Sequence, residues 1–197
     1  MTYDCVEPDW RETTVEVDRM KTSTERILTT HTGSLPRPQS LIGDPPADAA
    51  VTEAVHTIVA HQSDVGLDVV SDGEASKPSY GTYVAKRLTG FGDVSGPTAM
   101  READLYPELI QRIFADPSVA KIFQSIPACI GPLQYCGQGP VMQDIANLQA
   151  AIDTSVVEAF MTAASPGVIA LFHENRYYGS HEDYVYALAE AMRDLRR

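Results

Sequence analysis

The chain has 197 residues, 44% of them hydrophobic, and its 27 acidic against 15 basic residues give a formal net charge of −12. This length and apolar content suffice for one globular domain with a sizeable core, and the acidic balance makes nucleic acid and anionic membranes poor partners. With no apolar run of the roughly 18 residues that a membrane span needs, and three cysteines without a disulfide framework, we expect a cytoplasmic protein.

Residues 1–24 differ in composition from the rest of the chain. They contain six acids, three bases, few aliphatic residues and no helical or alternating period. We expect a disordered tail, with residues 25–197 forming the domain. Met20 lies just before the first apolar run, so it is also a candidate for the true start, with the preceding segment a misassigned extension.

The first predicted unit is a strand, a helix and a second strand. Residues 27–30 are a short apolar run that ends in small polar residues, and residues 67–70 follow Gly66 as a run rich in branched side chains. Between them a helix is predicted with Asp48 as a possible cap and Gly66 as its stop. Its apolar stripe consists of Val51, Ala54, Val55, Ile58, Val59 and Val65.

The middle of the chain predicts less regular structure. Residues 80–88 suggest a helix, residues 90–97 an irregular excursion rich in glycine, and residues 103–115 a further helix. Residues 127–135 predict a third strand that ends in a polar loop.

The last third of the chain predicts two helices, a strand and a final helix. Residues 141–152 have a helical apolar stripe, and Ser155 and Glu158 stand in capping-box spacing ahead of another helix that residues 165–167 end. Residues 168–172 predict a fourth strand. Ser180 and Asp183 open a final helix in the same capping-box spacing, with Arg193 among the basic residues at its end.

Four strands alternating with helices predict an α/β fold in which the strands are parallel and the crossovers right-handed. A complete (β/α)8 barrel takes about 250 residues, so this chain predicts the first half of one. The carboxyl ends of parallel strands meet at one edge. We therefore expect the polar residues after the first and second strands to form one site.

Several segments resemble the catalytic barrel of cobalamin-independent methionine synthase and its short relatives. The resemblance covers most of the chain from about Ile27 onward, in the order that the family has. The matching motifs are His-Thr-Gly-Ser-Leu-Pro-Arg-Pro at 31–38, Gly-Leu-Asp-Val-Val-Ser-Asp-Gly-Glu at 66–74, Tyr-Gly-Thr-Tyr-Val at 80–84, Ser-Pro-Gly at 165–167 and Asn-Arg-Tyr-Tyr at 175–178.

The resemblance implies transfer of the N5-methyl group of methyltetrahydrofolate to homocysteine, in methionine biosynthesis. A zinc ion lowers the pKa of the homocysteine thiol in that family, so that a thiolate exists near neutral pH. The resemblance further implies that Thr32, Gly33 and Ser34 contact the substrate carboxylate and that Glu74 pairs with its ammonium group. Gly33 suits close backbone approach, and a carboxylate suits an amine.

Four other residues are weaker site candidates. His31 and Asp72 flank the expected site, and Asn175 and Tyr177, with Tyr178 beside it, are possible lining for a pterin ring. Each has a structural reading as well. A lone histidine is often a hydrogen-bonded structural residue, Asp72 and Glu74 suit a helix cap, and the Asn-Arg-Tyr-Tyr loop suits a cover for the open end of the sheet.

The family's zinc ligands, a His-x-Cys pair and a later Cys, belong to the second half of its barrel and have no counterpart here. Cys129 and Cys136 fall in the third strand and its loop, where we expect small buried residues. We therefore predict no catalytic residue and no metal ligand in this chain, and no catalytic zinc bound by it alone.

Three alternatives to a methionine synthase-like enzyme stay open. One is a related thiol alkyltransferase, of the kind that conjugates epoxyalkanes to coenzyme M. Another is an incomplete fragment or subunit that needs a separate carboxyl-terminal half or forms a homo-oligomer, because open sheet edges recruit other chains. The last is a relative of uroporphyrinogen decarboxylase, which needs arginines in its pocket, and only Arg37 follows the first strand closely.

Overall fold

A computed structural model describes residues 20–41, 47–81, 83–95, 104–115 and 126–193. The predicted tail therefore lies mostly outside the described residues. Two compact units make up the chain: the first is Met1–Ser76 with Val141–Thr162, and the second is Lys77–Pro140 with Ala163–Arg197.

The described helices and strands alternate only in part. The helices are α1 (Asp48–Asp64), α2 (Pro107–Phe114), α3 (Gln138–Ala151), α4 (Pro166–Phe172) and α5 (His181–Arg193). The strands are β1 (Val69–Ser71), β2 (Phe91–Ser95), β3 (Ile126–Cys129) and β4 (Glu158–Phe160). Short 3-10 turns cover Gln39–Leu41 and Tyr83–Lys86, so the helix predicted over 80–88 is reduced to one turn.

The first unit is built around α1, whose predicted apolar stripe is confirmed except at Val65, which is the C-cap residue and is 63% exposed. Its inward face buries the side chains Val51, Ala54, Val55, Ile58 and Val59. At about 1.5 to 3 kcal/mol for each fully buried large aliphatic side chain, this face is a main source of the unit's stability. The N-cap is Ala47, which makes no side-chain cap bond. Asp48 is instead the first helical residue, where its negative charge favours the helix dipole.

The sheet of the first unit pairs β1 with β4 in parallel, with Val70 opposite Ala159. The first predicted strand is reduced to a single parallel bridge between Thr30 and Val69 on the other side of β1. This segment is anchored through Asp68, whose Oδ2 accepts hydrogen bonds from the Thr29 N–H at 2.8 Å and from Arg26 at 2.8 Å. The three segments thus run in the same direction.

The helix predicted from the Ser155 capping box to residues 165–167 is wrong, because residues 158–160 form β4. Ser155 does not cap a helix. Its N–H and its hydroxyl both donate to Asp153 Oδ1, which closes a turn before the strand. Val156 and Val157 are β-branched, and pairing with β1 outweighs the capping-box pattern.

The second unit contains an antiparallel pair, so parallel pairing throughout is also wrong. β2 pairs with β3, with Phe91 opposite Cys129 and a register shift between Gly92 and Val94. Within the predicted irregular excursion over 90–97, Phe91–Ser95 therefore form a bulged strand, and residues 96–97 lie outside the described residues. The third predicted strand is confirmed over Ile126–Cys129, and the rest of 127–135 is loop apart from an isolated bridge at Tyr135.

Residues 168–172, predicted as the fourth strand, belong to helix α4. The Ser165 hydroxyl accepts a hydrogen bond from the Val168 N–H at 3.3 Å, and Pro166 occupies the first helical turn. A serine cap followed by proline is a helix start, since proline there loses no intrahelical bond. The prediction that the Ser-Pro-Gly sequence ends a helix is therefore wrong, because this sequence begins one.

The last helix is confirmed. The Ser180 hydroxyl accepts from the Asp183 N–H at 3.0 Å and donates to the Asp183 carboxylate at 2.7 Å, and Arg193 lies in the last turn. α5 packs on α4, and Tyr184 and Leu188 are fully buried there.

An α/β fold with parallel strands is confirmed, but the described residues pair only two named strands in parallel rather than four. Among the helices of the described segments, none is both long and apolar enough to cross a membrane.

Candidate functional site

The candidate site lies in the first unit, where three parallel segments end. Residues 31–34 follow the Thr30 bridge, residues 72–74 follow β1, and Thr162 lies two residues after β4. Because the three segments are parallel, their carboxyl ends fall on the same edge. The predicted meeting of the first two strand ends is therefore present in the structure.

The Glu74 carboxylate is the centre of this edge. Glu74 is only 3% exposed. Its Oε2 accepts a hydrogen bond from the Ser34 hydroxyl at 2.5 Å, and its Oε1 accepts one from the Thr162 hydroxyl at 3.0 Å. One strand end thus supplies the carboxylate, and two others supply hydroxyl donors.

The backbone at this point is strained. Glu74 has φ +59°, in the left-handed region that residues other than glycine rarely adopt, and Gly73 before it has the same φ. The turn is held by hydrogen bonds from the Glu74 N–H to Asp72 Oδ1 at 3.1 Å and from the Ala75 N–H to the Asp72 carbonyl at 3.2 Å. Such strain costs on the order of 1 kcal/mol and often marks a functional position.

A cation lies near Glu74 without pairing with its carboxylate. Arg37 donates from Nη2 to the Glu74 main-chain carbonyl at 3.3 Å. Burial lowers the pKa of the Arg37 guanidinium, and the Glu74 charge opposes that shift. In the described part of the chain no basic side chain forms an ion pair with the Glu74 carboxylate.

Gly33 adopts φ +105°, and a Cβ atom there would meet nothing within 4 Å. Glycine is therefore needed at this turn for its backbone conformation, and the space beside it is open. Thr32 and Ser34 on either side are exposed, and the Leu35 N–H fixes the loop to the Gly73 carbonyl at 3.1 Å.

The two weaker candidates of the first unit, Asp72 and His31, differ in their burial and in their hydrogen bonds. Asp72 is 2% exposed and serves the turn that carries Glu74. His31 is half-buried, and its Nε2 is buried without a hydrogen-bond partner among the described residues.

The other two pocket candidates belong to the second unit. The Asn175 side chain donates to the Tyr178 carbonyl at 2.9 Å and accepts from the N–H groups of Tyr177 and Tyr178. Tyr177 is half exposed, with its ring against Tyr178 at 5.0 Å. Asn175 therefore builds a turn, and the structure supplies no evidence that these residues line a site.

Thr162 is a site residue that the sequence analysis missed. The predicted helix after Ser155 left no strand end at this position. The signal was nevertheless present: residues 156–161 are a short, mostly apolar run followed by the small polar residue Thr162, as at the other two strand ends.

The described residues do not fit a zinc site. Within the described ranges, no group of three or more His, Cys, Asp or Glu side chains stands close enough to hold a metal ion. Cys129 and Cys136 form no disulfide within the described segments, and burial raises the pKa of the Cys129 thiol, which disfavours the thiolate that zinc requires.

A comparison of sequences and a comparison of structures both find similarity to methionine synthases. No family model matches the chain. A methionine synthase from Sulfolobus acidocaldarius is 25% identical over 177 residues, which cover 84% of this chain and 46% of that protein. The structure of a B12-independent methionine synthase from Shewanella sp. W3-18-1 superposes with a TM-score of 0.62 at 20% identity, again over 84% of this chain and 46% of that one.

The chain spans about half the length of the relatives that it matches. The sequence match and the shared fold agree with the motifs at residues 31–38 and 66–74, from which the resemblance was first inferred. The resemblance is confirmed as a similarity: over about half of their lengths, the chain is similar in sequence to a methionine synthase and in fold to a B12-independent methionine synthase.

Proposed function

We propose that the chain binds a homocysteine-like amino acid at Glu74 and serves methyl transfer to its thiol, as part of methionine synthesis. The observation that carries the proposal is the Glu74 carboxylate, which is buried on a strained backbone and has no ion-pair partner among the described residues. Buried charges are normally paired, because desolvating an isolated carboxylate is costly. The ammonium group of an amino acid supplies the missing charge.

The geometry refines the roles that the resemblance implied. The Ser34 hydroxyl donates its hydrogen to Glu74, so it is not available to donate to a substrate carboxylate. We assign that contact to the main-chain N–H groups of the loop at Thr32 and Gly33, where the backbone has open space beside it. The amino and carboxyl groups of one ligand are then held by two neighbouring strand ends.

The relatives support an amino-acid ligand. The Shewanella protein was solved in complex with selenomethionine, an amino acid with a primary ammonium group. A coenzyme M-type thiol carries a sulfonate and no ammonium, so it would leave Glu74 uncompensated. A tetrapyrrole carboxylate needs several arginines, whereas Arg37 is already bound to the Glu74 carbonyl. The site thus favours the amino-acid thiol over both alternatives.

We also propose that the chain forms half of a (β/α)8 barrel and that the residues activating the thiol come from another polypeptide segment. The parallel β1 and β4 and the shared fold support the barrel, and the lack of a metal-binding cluster in the described residues supports the second part. The partner is then a carboxyl-terminal half-barrel or a second copy. Methyl transfer by the purified chain alone, from 5-methyltetrahydrofolate to homocysteine with zinc added, would contradict this division of roles.

Glu74→Gln tests the binding site, since it removes the charge and keeps the shape. Titration calorimetry with L-homocysteine and L-methionine should show roughly 10- to 100-fold weaker binding, because hydrogen bonds to charged groups contribute about 1.5 to 3 kcal/mol. Glu53→Gln is the matched control, as Glu53 is an exposed residue of α1. Equal affinity for the wild type and Glu74→Gln would refute the proposed site.

A further inference from the structure

The buried side chain of Gln62, near the end of α1, bonds to both main-chain polar groups of Ser71. Its Nε2 donates to the Ser71 carbonyl at 2.8 Å, and its Oε1 accepts from the Ser71 N–H at 3.1 Å. Ser71 is the last residue of β1 and shortly precedes Glu74. We propose that Gln62 is a positioning residue of the candidate site: its amide replaces the first strand beside the end of β1 and thereby sets the position of the Glu74 carboxylate. The inference rests on the proposed function, because it concerns ligand binding at Glu74.

The main-chain groups of Ser71 point to the side of β1 where the first segment lies. On that side the Val69 N–H donates to the Thr29 carbonyl at 3.1 Å, and the groups of every second residue of a strand point the same way. The first segment pairs with β1 through the single bridge between Thr30 and Val69. Gln62 thus makes the two hydrogen bonds to Ser71 that a continued first strand would make.

This replacement allows residues 31–34 to leave the sheet. Ser71 is 2% exposed, so its N–H and carbonyl need partners, and Gln62 supplies both. Residues 31–34 instead form a loop that turns at Gly33, with φ +105°, and reaches the Glu74 carboxylate. A first strand continued along β1 would be extended at Gly33, which this φ excludes.

The turn between Ser71 and Glu74 transmits the position of one to the other. The Ser71 hydroxyl accepts from the Gly73 N–H at 3.3 Å, and the Glu74 N–H donates to Asp72 Oδ1 at 3.1 Å. Gly73 and Glu74 both have φ +59°. Because these bonds close the turn on itself, a displacement of Ser71 displaces the Glu74 carboxylate with it.

Only a side chain with both a donor and an acceptor can do what Gln62 does. Its Nε2 also donates to the Ile58 carbonyl at 3.2 Å, so the amide ties α1 to β1. Leucine has neither group, and an ionised carboxylate only accepts, whereas a protonated carboxyl has one donor and one acceptor. Because burial raises the pKa of a carboxyl, the fit of Gln62→Glu to Ser71 depends on pH.

The first experiment measures the affinity for L-methionine by titration calorimetry at about pH 6 and about pH 9, either side of the raised pKa of a buried carboxyl. We expect Gln62→Leu to bind about tenfold more weakly than the wild type at both pH values, and Gln62→Glu to do so only at the higher one. The control Gln149→Glu, at an exposed residue of α3, should bind as the wild type does at both.

Two results of this experiment would overturn the proposal. One is wild-type affinity in Gln62→Leu that circular dichroism shows to be folded, or, where that variant does not fold, in Gln62→Glu at both pH values. The other is an equal loss from the Gln62 substitution in the Glu74→Gln background, because a residue that acts through Glu74 has no such additive effect.

A measurement without ligand separates this inference from the proposed function. The Glu74 carboxyl resonance is recorded in chain carrying ¹³C-labelled glutamate and assigned through Glu74→Gln. We expect it to be displaced from its wild-type position in Gln62→Leu, and in Gln62→Glu only at the higher pH. These displacements support the positioning role even where the wild type does not bind L-methionine and the proposed function fails. An unchanged resonance in both variants overturns it.

Discussion

Gly73→Ala tests whether the turn before Glu74 is both strained and tightly packed. The added Cβ atom would stand 2.8 Å from Ile58 Cγ2 and 3.2 Å from Leu35 Cβ, and Gly73 has φ +59°. The left-handed conformation costs a residue with a side chain about 1 to 2 kcal/mol, and overpacking a core adds about 1 to 3 kcal/mol. We expect a total loss of roughly 2 to 5 kcal/mol from the free energy of unfolding.

The control for Gly73→Ala is Gly33→Ala. Gly33 also has a positive φ, of +105°, but its Cβ atom would meet nothing within 4 Å. Urea unfolding followed by circular dichroism should therefore show a loss of only about 1 to 2 kcal/mol for Gly33→Ala. Ile58→Ala should reduce the effect of Gly73→Ala when the two are combined, since it removes the crowding atoms. Equal losses for the two glycines, or no coupling to Ile58, would refute the argument from packing.

Three further predictions concern titrating groups and a helix cap. Burial lowers the pKa of His173, so the folded state favours the neutral ring. The free energy of unfolding should therefore be at its full value above the unfolded pKa of about 6.5 and should decrease as the pH falls below that value. Urea unfolding at pH 7.5 and 5.5 should show a smaller decrease for His173→Asn than for the wild type. Hydrogen bonds from Arg26 and Thr29 hold the pKa of Asp68 well below its ordinary range. The stability that results should be present above about pH 3.9 and be lost on further acidification. Asp68→Asn should therefore lose less stability than the wild type when the pH is lowered below this value. Ser165→Ala should cost about 1 kcal/mol as a lost N-cap, which thermal unfolding detects, and an unchanged Tm would exclude the cap.

The centre of the site was predictable from sequence because it depends on local chemistry repeated at strand ends. Residues 27–34 and 67–74 each run from apolar to small polar residues, and parallel pairing then brings Ser34 to Glu74 at 2.5 Å. This inference needs only the order of residues and the direction of the strands. It holds although the first strand is reduced to one bridge at Thr30.

The contribution of Thr162 to the site was not predictable in the same way. One short apolar segment predicted as a helix is a strand, and another predicted as a strand is a helix. Residues 155–160 carry a helical capping pattern but contain strand β4 (Glu158–Phe160), and residues 168–172 are predicted as a strand but belong to helix α4. In segments this short, period alone does not separate helix from strand. Pairing with β1 makes the first segment a strand, and the Ser165 cap with Pro166 makes the second a helix.

The difference between the predicted helix and the observed strand β4 matters for the site, because only a strand beside β1 places Thr162 at the same edge as Glu74. As a helix, residues 155–161 would carry Thr162 away from that edge, and one oxygen of the buried carboxylate would lose its hydrogen bond. The fold error and the missed site residue therefore have one cause. The strained Glu74 backbone fits the same reasoning: the turn tolerates an unfavourable φ because hydrogen bonds from two other strand ends hold the carboxylate in the place where we propose that a ligand ammonium binds.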